Sequence, residues 1–569
     1  MKLNVFLLTL IISAVFSVNT FGQATKLIAG QTVEKKLLKG EDHLYTFFLK
    51  KGEYATLVVM QKGVDLAVDI KDPSGKKLNT VDSPNGKQGP EPVSIEALQT
   101  GNYQLSIYPM LEQTGMSDAE KTKWAEEDQG DYAITDIKKL TIKEYEQKLA
   151  KIAADKNVFA QWVANNANEI KSVDAGSGFE DLQVFKSVLK DVRVVGFGEA
   201  SHGTSEFFRM KHRMLEFLVK EMGFTSFYIE ASMSRCRYIN NYVLTGKGNL
   251  DTATAIQGFV TWRVEEVKNM IGWMRQYNAS VPDEKKVKFY GYDLQVNDAG
   301  WKELKAFYST VNPSKLPHLD SLQSKLDTAA KISNNTERRM EGAKLFKDAY
   351  KQCLTLMDDM VLNQGQYAYI TDKQVYDENE LNIRLIVEEV ESYQEGFNDR
   401  RDYYMAQNIL YLLNHEKPNT KVMVWAHNGH IQKKLGDGFG SMGGYLANTL
   451  KDKYYAVGFE FYSGSFQTRN MDINNKSKNW DVMSVGEPPA ESLAWYFNKA
   501  GKTKFFIDFR NTGADKVAIF PNMFNMHSFG SMNSAKWPQI FPDLLTSFDG
   551  MIYIKESTAA KNLTTVYLR

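Results

Sequence analysis

Val192-Arg193-Val194-Val195-Gly196-Phe197-Gly198-Glu199-Ala200-Ser201-His202-Gly203-Thr204 is an apolar run that stops abruptly at a glutamate, with a histidine in the turn behind it. The run reads as a buried β-strand and the rest as a strand-to-helix turn. After Thr204 the apolar residues Phe208, Leu215, Leu218 and Met222 recur at helical spacing, and Gly223 supplies a stop. A second apolar run, Ser226–Ile229, follows at once and ends at Glu230. Val192–Ile229 is therefore expected to be one β-α-β unit with a right-handed crossover, its two strands neighbours.

The pattern recurs three more times. Val287–Gly291 leads to Asp293, Lys421–Ala426 precedes His427, and Ala456–Phe459 precedes Glu460. Ligands of open α/β sheets and barrels sit at the carboxyl ends of the strands, where side chains from several strands converge. Five strands ending in Glu, Asp or His predict an active site. From about residue 301 to 413 the pattern is almost wholly helical, which predicts an insert packed over one end of the sheet. The fold class expected is α/β, a mostly parallel sheet with a helical insert.

Residues 23–140 read differently. Short alternating segments such as Leu44–Leu49, Tyr54–Met60 and Tyr103–Tyr108 are separated by turn residues about every ten positions, which predicts an all-β sandwich. Met116–Gly130 is a charged stretch expected to form a surface excursion. Residues 1–22 combine Lys2, an apolar run Val5–Val18 and small residues before a plausible cut, as a secretory signal peptide does. The expected organisation is a signal peptide at 1–22, a β-sandwich accessory domain at 23–140 and a catalytic α/β domain at 141–569. No later segment is long and apolar enough to span a membrane, so a periplasmic or secreted protein is expected.

Across 569 residues, 43% hydrophobic and 24% charged content supports a large core, and a formal net charge of zero argues against nucleic acid as a partner. The two cysteines, Cys236 and Cys353, are expected as buried free thiols, and they exclude a cysteine-based metal site.

Histidine carries the chemical signal. Of eight, four fall in two clusters, His202 with His212 and His427 with His430. Histidine is the side chain best matched to proton transfer near neutral pH. A carboxylate beside His202, from Glu199 or Glu230, fixes its tautomer and strengthens it as a base. His427 is expected at the same sheet edge, with His430 facing either the cleft or solvent. His212, well inside a helix, is expected to make a structural hydrogen bond. Glu460 reads as a buried, hydrogen-bonded carboxylate, and His527 has no supporting context. The absence of a Gly-x-Ser-x-Gly elbow, a His-Glu-x-x-His helix and a Walker loop leaves a hydrolase whose histidine activates water directly.

The stretch Val194–Arg213, together with Gly223-Phe224…Ile229-Glu230, Tyr290–Gln295, Arg401–Ala406 and Val424–Ile431, resembles the erythromycin esterase family over roughly residues 160–569. The resemblance implies hydrolysis of the lactone of fourteen-membered macrolides without a serine nucleophile. It implies His202 as the base, supported by Glu199 and Glu230, with His427 completing the catalytic set. His430, Lys211, Asp293 and Arg401 are the substrate-binding candidates. Lys211 stands where some members carry Arg, so a point charge replaces a planar fork. The N-terminal segment, outside that resemblance, is similar to the pre-peptidase C-terminal modules of secreted hydrolases.

Two other readings remain at this point. A divalent metal among Glu199, His202, Glu230 and His427 would make a metal-dependent hydrolase. A catalytically silent envelope protein binding glycans through its sandwich is the other. The leading expectation needs no cofactor and takes a small-molecule ester or macrolide.

Overall fold

The computed structural model describes residues 24–563, apart from 39–40, 83–87, 110–128, 334–337, 395–399, 434–439, 472–476, 514–523, 531, 534–538 and 542–543. The expected signal peptide lies outside the described residues, as does nearly all of the charged stretch 116–130. The chain divides into two compact units, one ending at Ile152 and the other starting at Ala153.

The first unit contains β1 (Thr25–Lys26), β2 (Val33–Leu37), β3 (His43–Leu49), β4 (Glu53–Lys62), β5 (Leu66–Lys71), β6 (Lys77–Val81), β7 (Gln88–Glu96), β8 (Gly101–Pro109) and β9 (Gly130–Thr141). They form two sheets, ordered β1-β3-β8-β5-β6 and β2-β9-β4-β7. Alternate residues such as Tyr45, Phe47 and Leu49 on β3, and Tyr103, Leu105 and Ile107 on β8, share one buried cluster with Leu57 and Val59 of β4. The period of two makes one face of each sheet apolar, and the two faces bury each other.

In the second unit, the strands that build its principal sheet are β10 (Asn168–Glu169), β11 (Val194–Phe197), β12 (Ser226–Ser232), β13 (Lys288–Asp293), β14 (Val422–Trp425) and β15 (Tyr454–Met471). β16 (Ser477–Val485), β17 (Lys504–Asp508), β18 (Phe524–Met526), β19 (Met532–Asn533), β20 (Gln539–Phe541) and β21 (Gly550–Ser557) follow. The sheet runs β10-β17-β21-β15-β11-β14-β12-β13, with β16 and β19 pairing along the far part of β15 and β18 pairing β20 separately. From β21 through β13 the ladder is parallel. The five strands that carry these ionisable residues are five consecutive neighbours, β15-β11-β14-β12-β13, but Glu460 does not end its strand, since β15 runs on to Met471.

One expectation is corrected. β11 and β12 are not adjacent, because β14 lies between them, with Val422 in register with both Val194 and Ser226. The crossover helix Ser205–Met222 skips one strand position. β14 is apolar on both sides (Val422, Val424 on one, Met423, Trp425 on the other), which suits it to that central slot.

The two faces of the sheet are covered separately. Val195, Phe197, Phe227, Ile229 and Trp425 pack with Phe208, Leu215 and Val267 of the helices Ser205–Met222 and Glu265–Ser280. Val194, Tyr228, Val424 and Ala456 pack with Met405, Ile409 and Leu446 of the helices Arg401–His415 and Met442–Leu450. The chain between β13 and β14 is helical, and helices from Asp298 to Ser392 hold a core of their own around Leu304, Leu322, Phe346, Leu356 and Ile386. The last helix of this stretch, Arg401–His415, belongs instead to the sheet's core, so its first residue is delivered to the strand ends. Cys236 and Cys353 are both buried free thiols. No helix of the described residues is long and apolar enough to cross a membrane.

Candidate active site

Glu199 leaves β11 in the turn Gly198–Thr204. Two glycines permit that turn. A side chain at Gly203 would collide with the backbone of Gln467, and one at Gly198 with the Asn428 side chain. Backbone pairings then pin the turn, among them His202 N–H donating to Phe529 O, Phe529 N–H to Ala200 O, and the Gln467 and Ala560 N–H groups to Gly203 O. His202 is held in place before any side chain acts on it.

Glu199 is fully buried and both of its carboxylate oxygens are engaged. His202 Nδ1–H donates to its Oε1 at 2.6 Å, while Lys211 Nζ and Trp425 Nε1 donate to its Oε2 at 2.6 and 2.9 Å. With Nδ1 committed, the Nε2 lone pair of His202 is the basic position. The ring lies 4.9 Å from the His427 ring and meets Trp262 edge-on at 5.7 Å. Its side chain keeps 11% of its surface exposed, enough to meet water.

His427 follows β14 and its tautomer is set by the backbone. Gly429 N–H donates to its Nδ1 at 3.2 Å, so the proton of the neutral ring sits on Nε2. That Nε2 is buried and has no hydrogen-bond partner among the described residues. Burial, and then the neighbouring His202 and His430, push its pKa well below the ordinary value, so the ring stays neutral. It presents a lone N–H donor to the site.

Glu230 links the second half. Its Oε2 accepts from His427 N–H at 3.2 Å and its Oε1 from Arg401 Nη2 at 2.7 Å, with His430 Nε2 3.4 Å away. Burial alone would raise its pKa, but the His430, Arg401 and His202 charges hold it well below the usual carboxylate range. His430 Nδ1–H donates to Asp402 at 2.8 Å. Burial pulls that imidazole down, yet Asp402 and Glu230 outweigh it and raise its pKa to about 9. Arg401 Nη1, 3.2 Å from His430 Nε2, opposes the proton there, and the two carboxylates prevail.

Two of the substrate-binding candidates, Lys211 and Asp293, stand elsewhere than the sequence suggested, and the structural hydrogen bond expected of His212 is lacking at its Nε2 among the described residues. Lys211 is fully buried under Glu199, with Nζ 4.4 Å from the Trp425 ring centre, so it cannot touch a substrate. Burial lowers its pKa to about 8 against the pull of Glu199. Asp293 is likewise fully buried and grips Arg401 through Nε and Nη2, so it positions that guanidinium. His212 packs on Trp273 at 5.8 Å, and its Nε2 lacks a hydrogen-bond partner among the described residues; burial lowers its pKa to about 4. The first N–H of the helix that starts at Ser205 is not free for a substrate oxygen, since it donates to Thr558 O. Arg401 and His430 do reach the site, on the Glu230 side.

Sequence reading missed Trp262, Trp425 and Asp402. Trp425 and Asp402 lie inside quoted motifs, Asp402 next to Arg401 and Trp425 two residues before His427. Trp262 sits in a loop with no motif, and only its packing on His202 reveals it. Glu460 is bonded to His527, Nδ1 to Oε1 at 2.7 Å, a partnership invisible across 67 residues of chain. Among the described residues, no group of three or more His, Cys, Asp or Glu side chains is arranged to hold a metal ion.

The erythromycin esterase family pattern matches residues 219–557, more than half of the chain. The chain belongs to the erythromycin esterase family. Among relatives, it is 26% identical over 428 residues to erythromycin esterase type II of Escherichia coli, covering 71% of this chain and 99% of that one. It is 24% identical over 396 residues to a putative hydrolase of Bacillus subtilis (strain 168), covering 64% and 84%. In fold it is similar to a Bacillus cereus protein of known structure (TM-score 0.60, 23% identity, 72% and 99% covered). It is also similar in fold to a mutant erythromycin esterase in its open conformation (TM-score 0.51, 15% identity, 69% and 96% covered). Family membership supports a hydrolase acting on a small molecule.

Proposed function

We propose that the chain hydrolyses a carboxylic ester or lactone by direct attack of water, with His202 as general base. The observation that carries this reading is the Glu199–His202 pair, 2.6 Å apart, whose free Nε2 belongs to a ring facing His427 in one accessible site. His202 takes a proton from water as the water oxygen bonds to the carbonyl carbon. Glu199 stabilises the imidazolium that forms, and Lys211 and Trp425 keep that carboxylate fixed. His427 Nε2–H donates to the carbonyl oxygen as it gains charge, the position where a preorganised donor acts most strongly. When the C–O bond breaks, His202 returns the proton to the leaving alkoxide, giving acid and alcohol. Ser201, the hydroxyl nearest in sequence, is fully buried and its Oγ accepts from Gly203 N–H, which suits a structural role.

The macrolactone of fourteen-membered macrolides is the first substrate to test, because the relatives' names point to it. The full chain is incubated with erythromycin and with a panel of simple carboxylic esters, and products are followed by mass spectrometry. A gain of one water is expected for at least one of them, and no product from any would end the reading. We also propose export, on the strength of the sequence at 1–22. A secreted or periplasmic protein starting near Gln23 is expected, and retention of Met1 in the mature protein would contradict it.

A further inference from the structure

The loop between Ile256 and Val264 crosses the carboxyl end of β12. Ser232 N–H donates to Gln257 O at 3.1 Å, and Trp262 Nε1 donates to Glu230 O at 2.8 Å, so the loop is fastened to the strand that supplies Glu230. Trp262 forms a wall of the His202 site, and the next residue is Arg263. Its backbone is fixed as well: its N–H donates to Val260 O, and Leu563 N–H donates to its carbonyl. The guanidinium is half-buried, its Nε is shielded from solvent, and that Nε has no acceptor among the described residues. The acidic neighbour Glu266 is committed to Ser205 Oγ and Lys561 N–H. Arg235, whose charge acts on Arg263, is a cation itself and already forms a two-pronged pair with Asp298.

A buried guanidinium N–H without an acceptor is costly, and its fork matches a carboxylate or phosphate. We propose that Arg263 binds an anionic group of the ester substrate at the rim of the His202 site. This rests on the esterase reading above and adds the substrate class: esters whose acyl or alcohol part carries a carboxylate or phosphate. An ammonium is disfavoured at that position by like charge, so the amino sugar of a macrolide would have to lie away from Arg263.

The test compares three para-nitrophenyl esters of similar size, one with a neutral acyl chain (butyrate), one ending in carboxylate (hydrogen succinate) and one ending in phosphate. Wild-type kcat/KM is expected to be roughly tenfold or more higher for at least one anionic ester than for butyrate, a preference that shrinks with added salt. The arm that gains most identifies the anion. In Arg263→Gln the anionic-to-neutral ratio falls to about one through a rise in KM, and Arg263→Lys retains part of it. Hydrolysis of all three esters at equal efficiency in the wild type would overturn the proposal and leave the esterase reading standing. A wild-type preference that Arg263→Gln and Arg263→Lys both keep would also overturn it. Hydrolysis of none would instead remove the esterase reading.

Discussion

Two neighbouring strands, β11 and β15, each present a glutamate bonded to a histidine Nδ1, just past the strand end for Glu199–His202 (2.6 Å) and within the longer β15 for Glu460–His527 (2.7 Å). As pairs they are nearly identical, and their surroundings divide them. The Glu460 carboxylate accepts from the backbone N–H groups of Phe461 and His527, and the His527 ring stacks on Phe461 at 4.3 Å with only 1% of its side chain exposed. The Glu199 carboxylate is held instead by an ammonium and an indole, and its histidine faces a second imidazole across a space that water can reach. On the proposed reading, a Glu–His pair braces the structure when sealed and serves as a base when opened. Access and the neighbouring donor make the difference, not the hydrogen bond.

The sharpest way to break that contrast is to remove each histidine. His202→Ala is expected to lose at least about 10² to 10⁴ in turnover, the usual worth of general-base help, with a melting point near wild type. Lys211→Met should cost stability more than any other single change here, about 3–5 kcal/mol in denaturant unfolding, because it strands the buried Glu199 charge. A stability loss below about 1 kcal/mol would show that Glu199 is not held as described. His527→Ala should behave oppositely to His202→Ala, losing about 1–3 kcal/mol of stability while turnover stays within a few-fold of wild type. Loss of turnover in a normally folded His527→Ala would erase the distinction between the two pairs.

The pH dependence of stability gives a smaller effect. His430 binds its proton more tightly folded (pKa about 9) than unfolded (about 6.5), so its contribution is fully present below about pH 6.5 and is lost as pH rises towards 9. Lys211, with its pKa lowered to about 8, acts in the opposite sense above that pH, so the comparison must be wild type against His430→Asn. Wild type minus His430→Asn is expected to fall by about 1–2 kcal/mol between pH 6.5 and 9, after allowance for a partly exposed ring. A pH-independent difference would show that the ring is not protonated in the fold. The smallest effect expected is none: dialysis against a chelator should leave turnover unchanged, since the oxygens of Glu199 and Glu230 are already engaged by protein donors. Lost turnover that returns with a divalent metal would favour the metal-dependent reading over direct attack of water.

Much of this was legible in the chain because an apolar run ended by an ionisable residue encodes both a strand and the side chain it presents. Glu199, Glu230, His427 and Asp293 were found that way, and the period of two exposed the N-terminal sandwich. Strand order was not legible. β14 arrives nearly 200 residues after β12, and nothing local says that it inserts beside β11. The burial of Lys211 and Asp293 was not legible either, because each is buried against an opposite charge contributed by another element, Glu199 and Arg401. The Glu460–His527 partnership and the Trp262 wall depend on packing between distant segments, which leaves no periodic trace.

If His202 drives water, rather than a protein side chain, onto the ester carbonyl, no covalent acyl-enzyme forms. Intact-protein mass spectrometry during steady-state turnover tests it most directly. The mass of the free chain alone, at every substrate concentration, is the predicted result. An added mass equal to the acyl group, appearing and decaying with turnover, would contradict it.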